Sequence, residues 1–227
     1  MFRNLFGSGD SVEVIIMNAL MFIIPFLICI TVHELAHGFT AYRLGDATAK
    51  NMGRLTLNPV KHIDPVGLLM MFFFRFGWAK AVPVNMSTFK YPKRYMAVTA
   101  FAGPLSNIIL ALVLAFIYGL LVTPIFSMGS QGAAEFINEV IVRTIQISIM
   151  LAVFNLLPIP PLDGSKVLFS IFSEENYYKL MRYERFGFIA LIVLLNVPGF
   201  RSVLMGFQNT LLRSVGPVIQ AAFSLVN

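Results

Sequence analysis

The sequence predicts an all-α membrane protein that crosses a bilayer several times. Of its 227 residues 57% are hydrophobic and only 12% are charged, about half the roughly 25% charged residues of soluble domains. Its apolar residues form runs that reach the about 20 residues a membrane-spanning helix needs. Its charges gather at the ends of those runs, as topology signals do. The expected architecture is a helical bundle with small strand-forming or re-entrant pieces at one interface, built as one membrane domain over residues 1–227.

In chain order, residues 1–10 are short and polar, and Asp10 or Ser11 is placed to cap a helix with Glu13 in its first turn. The apolar run from Val12 to Leu44 then gives roughly 45–50 Å of helix, which a tilt or a kink at Pro25 would fit to a bilayer. It continues into a cluster of histidines, so a cleaved signal peptide is not expected. Met52 to Pro59 alternates between turn residues and reads as a small interfacial strand, which Val82-Pro83-Val84 would extend. Between them Val66 to Phe76 is about half a span long and reads as re-entrant.

Met96–Val122 and Phe136–Leu157 are the next two spans. Pro158, Pro160 and Pro161 then forbid a regular helix, so the backbone must unwind where it lines a cavity or is covered by protein. Residues 165–185 form a loop or a short surface helix, and the C-terminal helices about 186–226 are split by Pro198-Gly199.

Cations set the orientation. Nine Lys or Arg lie from Arg43 to Arg94 inclusive, four more lie in 158–185, and the loop 124–135 has none. The positive-inside rule puts the two basic regions in the cytoplasm and makes the protein a multi-pass component of the cell membrane. The net charge of +6 is spent on topology, so no nucleic-acid partner is expected. Cys29 lies within an apolar run, is the sole cysteine, and reads as packing.

The chemistry centres on His33-Glu34-Leu35-Ala36-His37. Side chains four apart share a helix face, so His33 and His37 reach one cation while Glu34 stands beside them as a proton acceptor. This is the H-E-x-x-H pattern of zinc peptidases. Ionisable groups inside a membrane span are costly unless they have a function. A catalytic zinc takes three protein ligands and leaves one position open. Glu13 is roughly 30 Å of helix from His33, whereas Asp163 stands alone at the unwound break, on the same side of the membrane. Asp163 is therefore the chosen third ligand, although Asp-Gly is also a common turn pair.

Asn155 and Asn107 read as interhelical hydrogen-bonding residues with a secondary role in binding substrate or supporting the ligands. Arg143 reads as snorkelling or paired, and His62 as a solvated interfacial residue.

Three stretches carry a family resemblance: His33 to Gly38, Ala102-Gly103-Pro104-Leu105-Ser106-Asn107, and Asn155-Leu156-Leu157-Pro158-Ile159-Pro160-Pro161-Leu162-Asp163-Gly164. They resemble the site-2 proteases, intramembrane zinc metalloproteases marked by H-E-x-x-H and N-x-x-P-x-P-x-x-D-G. Gly53-Arg54-Leu55-Thr56-Leu57-Asn58-Pro59 adds to the match. The resemblance implies one Zn²⁺ on His33, His37 and Asp163, with Glu34 as the catalytic carboxylate. It implies a three-span core within about residues 12–165, in a short form without the inserted PDZ domain of some relatives. The implied substrates are transmembrane proteins or peptides, cut within the lipid bilayer at a site toward the cytoplasmic side.

Two other classes compete. A metal transporter would also break helices at a midplane site, but the chain has no internal repeat. A relative that binds membrane proteins without cutting them would not need Glu34.

Overall fold

The computed structural model describes residues 11–74, 78–127, 130–182 and 184–226. Nine α-helices run through these residues: α1 (Val12–Arg43), α2 (Thr48–Asn51), α3 (Pro65–Phe74), α4 (Pro92–Phe126), α5 (Gln131–Asn155), α6 (Asp163–Phe169), α7 (Glu174–Arg182), α8 (Glu184–Leu195) and α9 (Pro198–Phe223). Ser11 caps α1, its hydroxyl accepting the Val14 N–H at 3.4 Å, while Asp10 lies outside the described residues. Glu13 at the start and Arg43 at the end of α1 complement its dipole.

Among the described residues three helices are each long and apolar enough to cross a membrane, α1 from Ile16, α4 and α5, and α8 with α9 would add a fourth span if the bent pair is counted as one. Helices α1, α4 and α5 are the three expected spans, and they pack on one another. Helix α4 also touches α6 and α9. Ala111 and Ala115 on α4 meet Ile145 and Ile149 of α5 and Val215 of α9 in a buried core. Small residues one turn apart let the backbones approach closely, the usual solution where lipid supplies no hydrophobic drive. The C-terminal region is one short helix and one long one, α8 and α9, bent by 85° at the break before Pro198.

The expected strand at 52–59 does not form. Among the described residues there is no strand pairing beyond one antiparallel bridge, Ile63 with Ala79. Gly53, at φ 63°, ends α2 in a left-handed turn, and Pro59 starts a 3₁₀ turn over Pro59–His62 whose Val60 N–H is capped by Asn58 Oδ1 at 3.0 Å. Turn chemistry thus claims the residues that alternation assigned to a ladder. Residues 82–84 likewise form no strand.

The short apolar segment after Pro65 begins and ends at neighbouring points of the chain. The 63–79 bridge and the Lys80 N–H donated to the His62 carbonyl at 2.9 Å hold its two ends side by side. Its Met and Phe side chains over 71–76 lie outside the described residues.

His62 departs from expectation. It is fully buried, and its Nε2–H donates to the Thr56 carbonyl at 2.9 Å, so it braces its own loop. Arg143 pairs with Glu139 one turn away on α5.

Candidate active site

His33, Glu34 and His37 project from α1 and are buried. Asp163, the first residue of α6, is brought to them by the break after α5. Turns occupy 156–162, and the chain folds back so tightly that a Cβ at Gly164 would lie 2.2 Å from the Leu156 carbonyl oxygen. Only glycine permits that approach. The Asp-Gly pair is therefore a tight return that sets a carboxylate beside the two imidazoles.

The three candidate ligand atoms converge. His33 Nε2 and His37 Nε2 are 3.0 Å apart, and each lies 3.1 Å from Asp163 Oδ2. Zinc–nitrogen bonds of about 2.0–2.1 Å in a tetrahedron give ligand–ligand edges of roughly 3.3 Å. The donor set, two imidazoles and a carboxylate, suits the same ion.

The outer nitrogens support this fit. His37 Nδ1 faces the Thr99 carbonyl at 2.7 Å. A carbonyl only accepts, so Nδ1 carries the proton and Nε2 presents its lone pair. His33 Nδ1 lies 3.3 Å from the amide nitrogen of Asn107, whose buried Oδ1 has no hydrogen-bond partner. A half-turn of the amide places Oδ1 against His33 Nδ1–H, which gives that oxygen a donor and leaves His33 Nε2 bare.

Gly103 lies directly behind the imidazoles: a Cβ there would stand 2.4 Å from both Cε1 and Nε2 of His37 and 2.7 Å from His33 Cε1. Pro104 removes the helical donor for the Ala100 carbonyl, beside the Thr99 carbonyl that His37 uses.

Glu34 stands next to the cluster, its Oε2 accepting the Val82 N–H at 2.7 Å. The other oxygen of Asp163, Oδ1, is 3.8 Å from Lys166 Nζ. These groups line a cavity of about 670 Å³ shared by α1, α4, α5, the break and the segment around Val82. Asn155 borders this cavity and donates to the Leu151 carbonyl at 3.0 Å.

Residues 21–146 and 120–197 match the model of peptidase family M50. The chain belongs to that family. "Putative zinc metalloprotease YwhC" of Bacillus subtilis is 38% identical over 207 residues, covering 88% of this chain and 91% of the relative. "Putative zinc metalloprotease Rip2" of Mycolicibacterium smegmatis is 30% identical over 183 residues, covering 79% and 68%. The protein of the same name in Mycobacterium tuberculosis H37Rv is 31% identical over 182 residues, covering 78% and 67%. No solved structure matches the chain. This M50 peptidase is a membrane zinc metalloprotease of the site-2 protease type.

The sequence brought out His33, Glu34, His37 and Asp163. It did not bring out the Thr99 carbonyl, the space that Gly103 leaves, or the Val82 N–H on Glu34. Two of these are backbone groups, and the third is a missing side chain.

Proposed function

We propose that the protein hydrolyses peptide bonds within or near the transmembrane segments of membrane-protein substrates, the chemistry of regulated intramembrane proteolysis. In this reading His33, His37 and Asp163 hold one zinc ion, and Glu34 is the catalytic carboxylate. The observation that carries it is the meeting of three ligand atoms at 3.0–3.1 Å beside a buried glutamate, on a helix long enough to cross a bilayer.

When bound, zinc supplies Lewis-acid chemistry, acidifying water to a pKa of about 7 and polarising a carbonyl. The protein's own groups do the rest. Glu34 is held through Oε2, so Oε1 is the oxygen that takes the proton of the attacking water and passes it to the leaving amide nitrogen. Asn107 and the Thr99 carbonyl fix the faces of the two imidazoles. In this reading Asn155, on the cavity wall, meets the substrate backbone. A helical substrate hides its amides, so it must unwind before attack, and the segment 78–84 along the cavity offers a wall for the extended stretch.

The site sits ten residues before the end of α1, roughly 15 Å along its axis. That end of the bundle carries the basic regions 43–94 and 158–185, which supports a site open toward the cytoplasm in the cell membrane.

The test is reconstitution with a single-span substrate and mass spectrometry of the products. The wild type is expected to cut within the span, and Glu34→Gln to lose about 10²–10⁴-fold in kcat with its zinc retained. Full activity of Glu34→Gln would overturn the assignment.

A further inference from the structure

The motif Gly53-Arg54-Leu55-Thr56-Leu57-Asn58-Pro59 has no part in binding the metal, yet Arg54 is buried, only 6% exposed. Among the described residues no ion pair involves it. A buried guanidinium without a carboxylate is expensive, and an apolar side chain of similar size would fill the space at lower cost. Its charge therefore has work to do at this position.

Its partners show what that work is. Arg54 Nη2 donates to the Lys80 carbonyl at 2.6 Å and to the Ala81 carbonyl at 3.4 Å. The Lys80 N–H is held by the His62 carbonyl at 2.9 Å. The peptide N–H immediately after the two clamped carbonyls belongs to Val82, and it donates to Glu34 Oε2 at 2.7 Å. Further on, the Asn85 N–H donates to Asp46 Oδ2, also at 2.7 Å. Residues 80–85 thus form a strap fastened over α1 at both ends, with the Glu34 carboxylate bonded to its middle.

Packing keeps the strap at this height. A Cβ at Gly38, one turn after Glu34, would lie 2.6 Å from Leu55 Cδ2 and 3.0 Å from Val82 Cγ1. The residue next to Arg54 and the strap residue bonded to Glu34 both rest on that glycine. A charge-assisted hydrogen bond from a fixed donor removes the freedom of the carboxylate to rotate. A proton acceptor set in place before the reaction avoids the cost of ordering it during the reaction.

We propose that Arg54 is a positioning residue for Glu34, acting through the Lys80 and Ala81 carbonyls and the Val82 N–H. The proposal rests on the reading of Glu34 as the catalytic carboxylate. Loss of the guanidinium frees the strap, and Glu34 loses its orientation while the zinc ligands keep theirs.

The experiment measures kcat, KM and zinc content for Arg54→Met, Arg54→Lys, Val82→Pro and the double variant Arg54→Met/Val82→Pro, each as full-length protein in lipid. Val82→Pro deletes the N–H itself, at a position that Pro83 already confines to extended backbone. Arg54→Met is expected to lower kcat about 10²-fold, with KM within about twofold and one zinc per chain retained. Arg54→Lys, which keeps a charged donor, is expected to recover most of the kcat.

The double variant is expected to match the worse single variant, because both substitutions break one path. Multiplied effects in the double variant, a rise in KM at unchanged kcat, or faster cleavage by Arg54→Met would each overturn the proposal. The last result would mean that the strap restrains the enzyme. An active Glu34→Gln would instead remove the reading beneath the proposal, so the two failures are distinguishable.

Discussion

A methyl group at residue 103 would share space with both imidazoles, and that single contact shows how the site is cut to size. The Cβ would approach His37 Nε2 to 2.4 Å, closer than real Cβ contacts come, so the imidazoles or the α4 backbone would have to shift. Gly103→Ala is expected to weaken zinc binding by about 10–100-fold, the usual loss when the support of a ligand is disturbed. Competition against a chelator would measure it, and unchanged affinity would mean that the imidazoles move aside freely. At this scale the sequence was legible for the side chains that would carry the proposed chemistry. His33 and His37 are one helical turn apart, and Asp163 is an acid at a proline-broken backbone. It was silent on Thr99 and Val82, which contribute a carbonyl and an N–H that any residue type possesses. His62 was misread because its basic, proline-flanked surroundings resemble a surface loop, whereas its ring is sealed inside that loop.

Among the elements, the spans were readable to within a few residues, because apolar length alone decides them. The loop 44–91 was not, since its order comes from side chains holding distant backbone. Asp46 is the clearest case: it accepts the Thr48 and Asn85 N–H groups at 3.0 and 2.7 Å. Burial alone would raise its pKa, but the Thr48 hydroxyl, the Asn85 and Thr48 N–H groups and the Thr88 hydroxyl outweigh burial and hold the carboxyl below its usual range. In the unfolded chain the group returns to about 4. The stability it gives is thus fully present above that value and is lost as pH falls through the lower folded value. Hydrogen exchange at Asn85 is therefore expected to quicken as pH drops below about 4, beyond the intrinsic pH dependence of exchange. In Asp46→Asn exchange should already be fast at neutral pH and show no such step. A step that persists in the variant would assign the effect to another group.

For the whole molecule, the three-span core was foreseen, and the seat of α9 on α4 was not. A Cβ at Gly119 would lie 2.4 Å from the Ile219 carbonyl and 2.6 Å from Ala222 Cβ, so α9 closes on a notch that hydropathy does not register. Gly119→Val is expected to cost about 1–3 kcal/mol by overpacking, seen as a lower Tm in detergent. Zinc content should stay intact, because Gly119 is roughly 24 Å along α4 from Gly103. Loss of zinc without loss of Tm would contradict this separation of scaffold from site. In the proposed metal site a carboxylate 126 residues beyond His37 completes what two histidines on the first span begin. Zinc content of purified Asp163→Ala beside the wild type tests this most directly. One zinc per chain in the wild type, with little or none in the folded variant, is the expected result; a full equivalent of equally tightly held zinc in Asp163→Ala would contradict it.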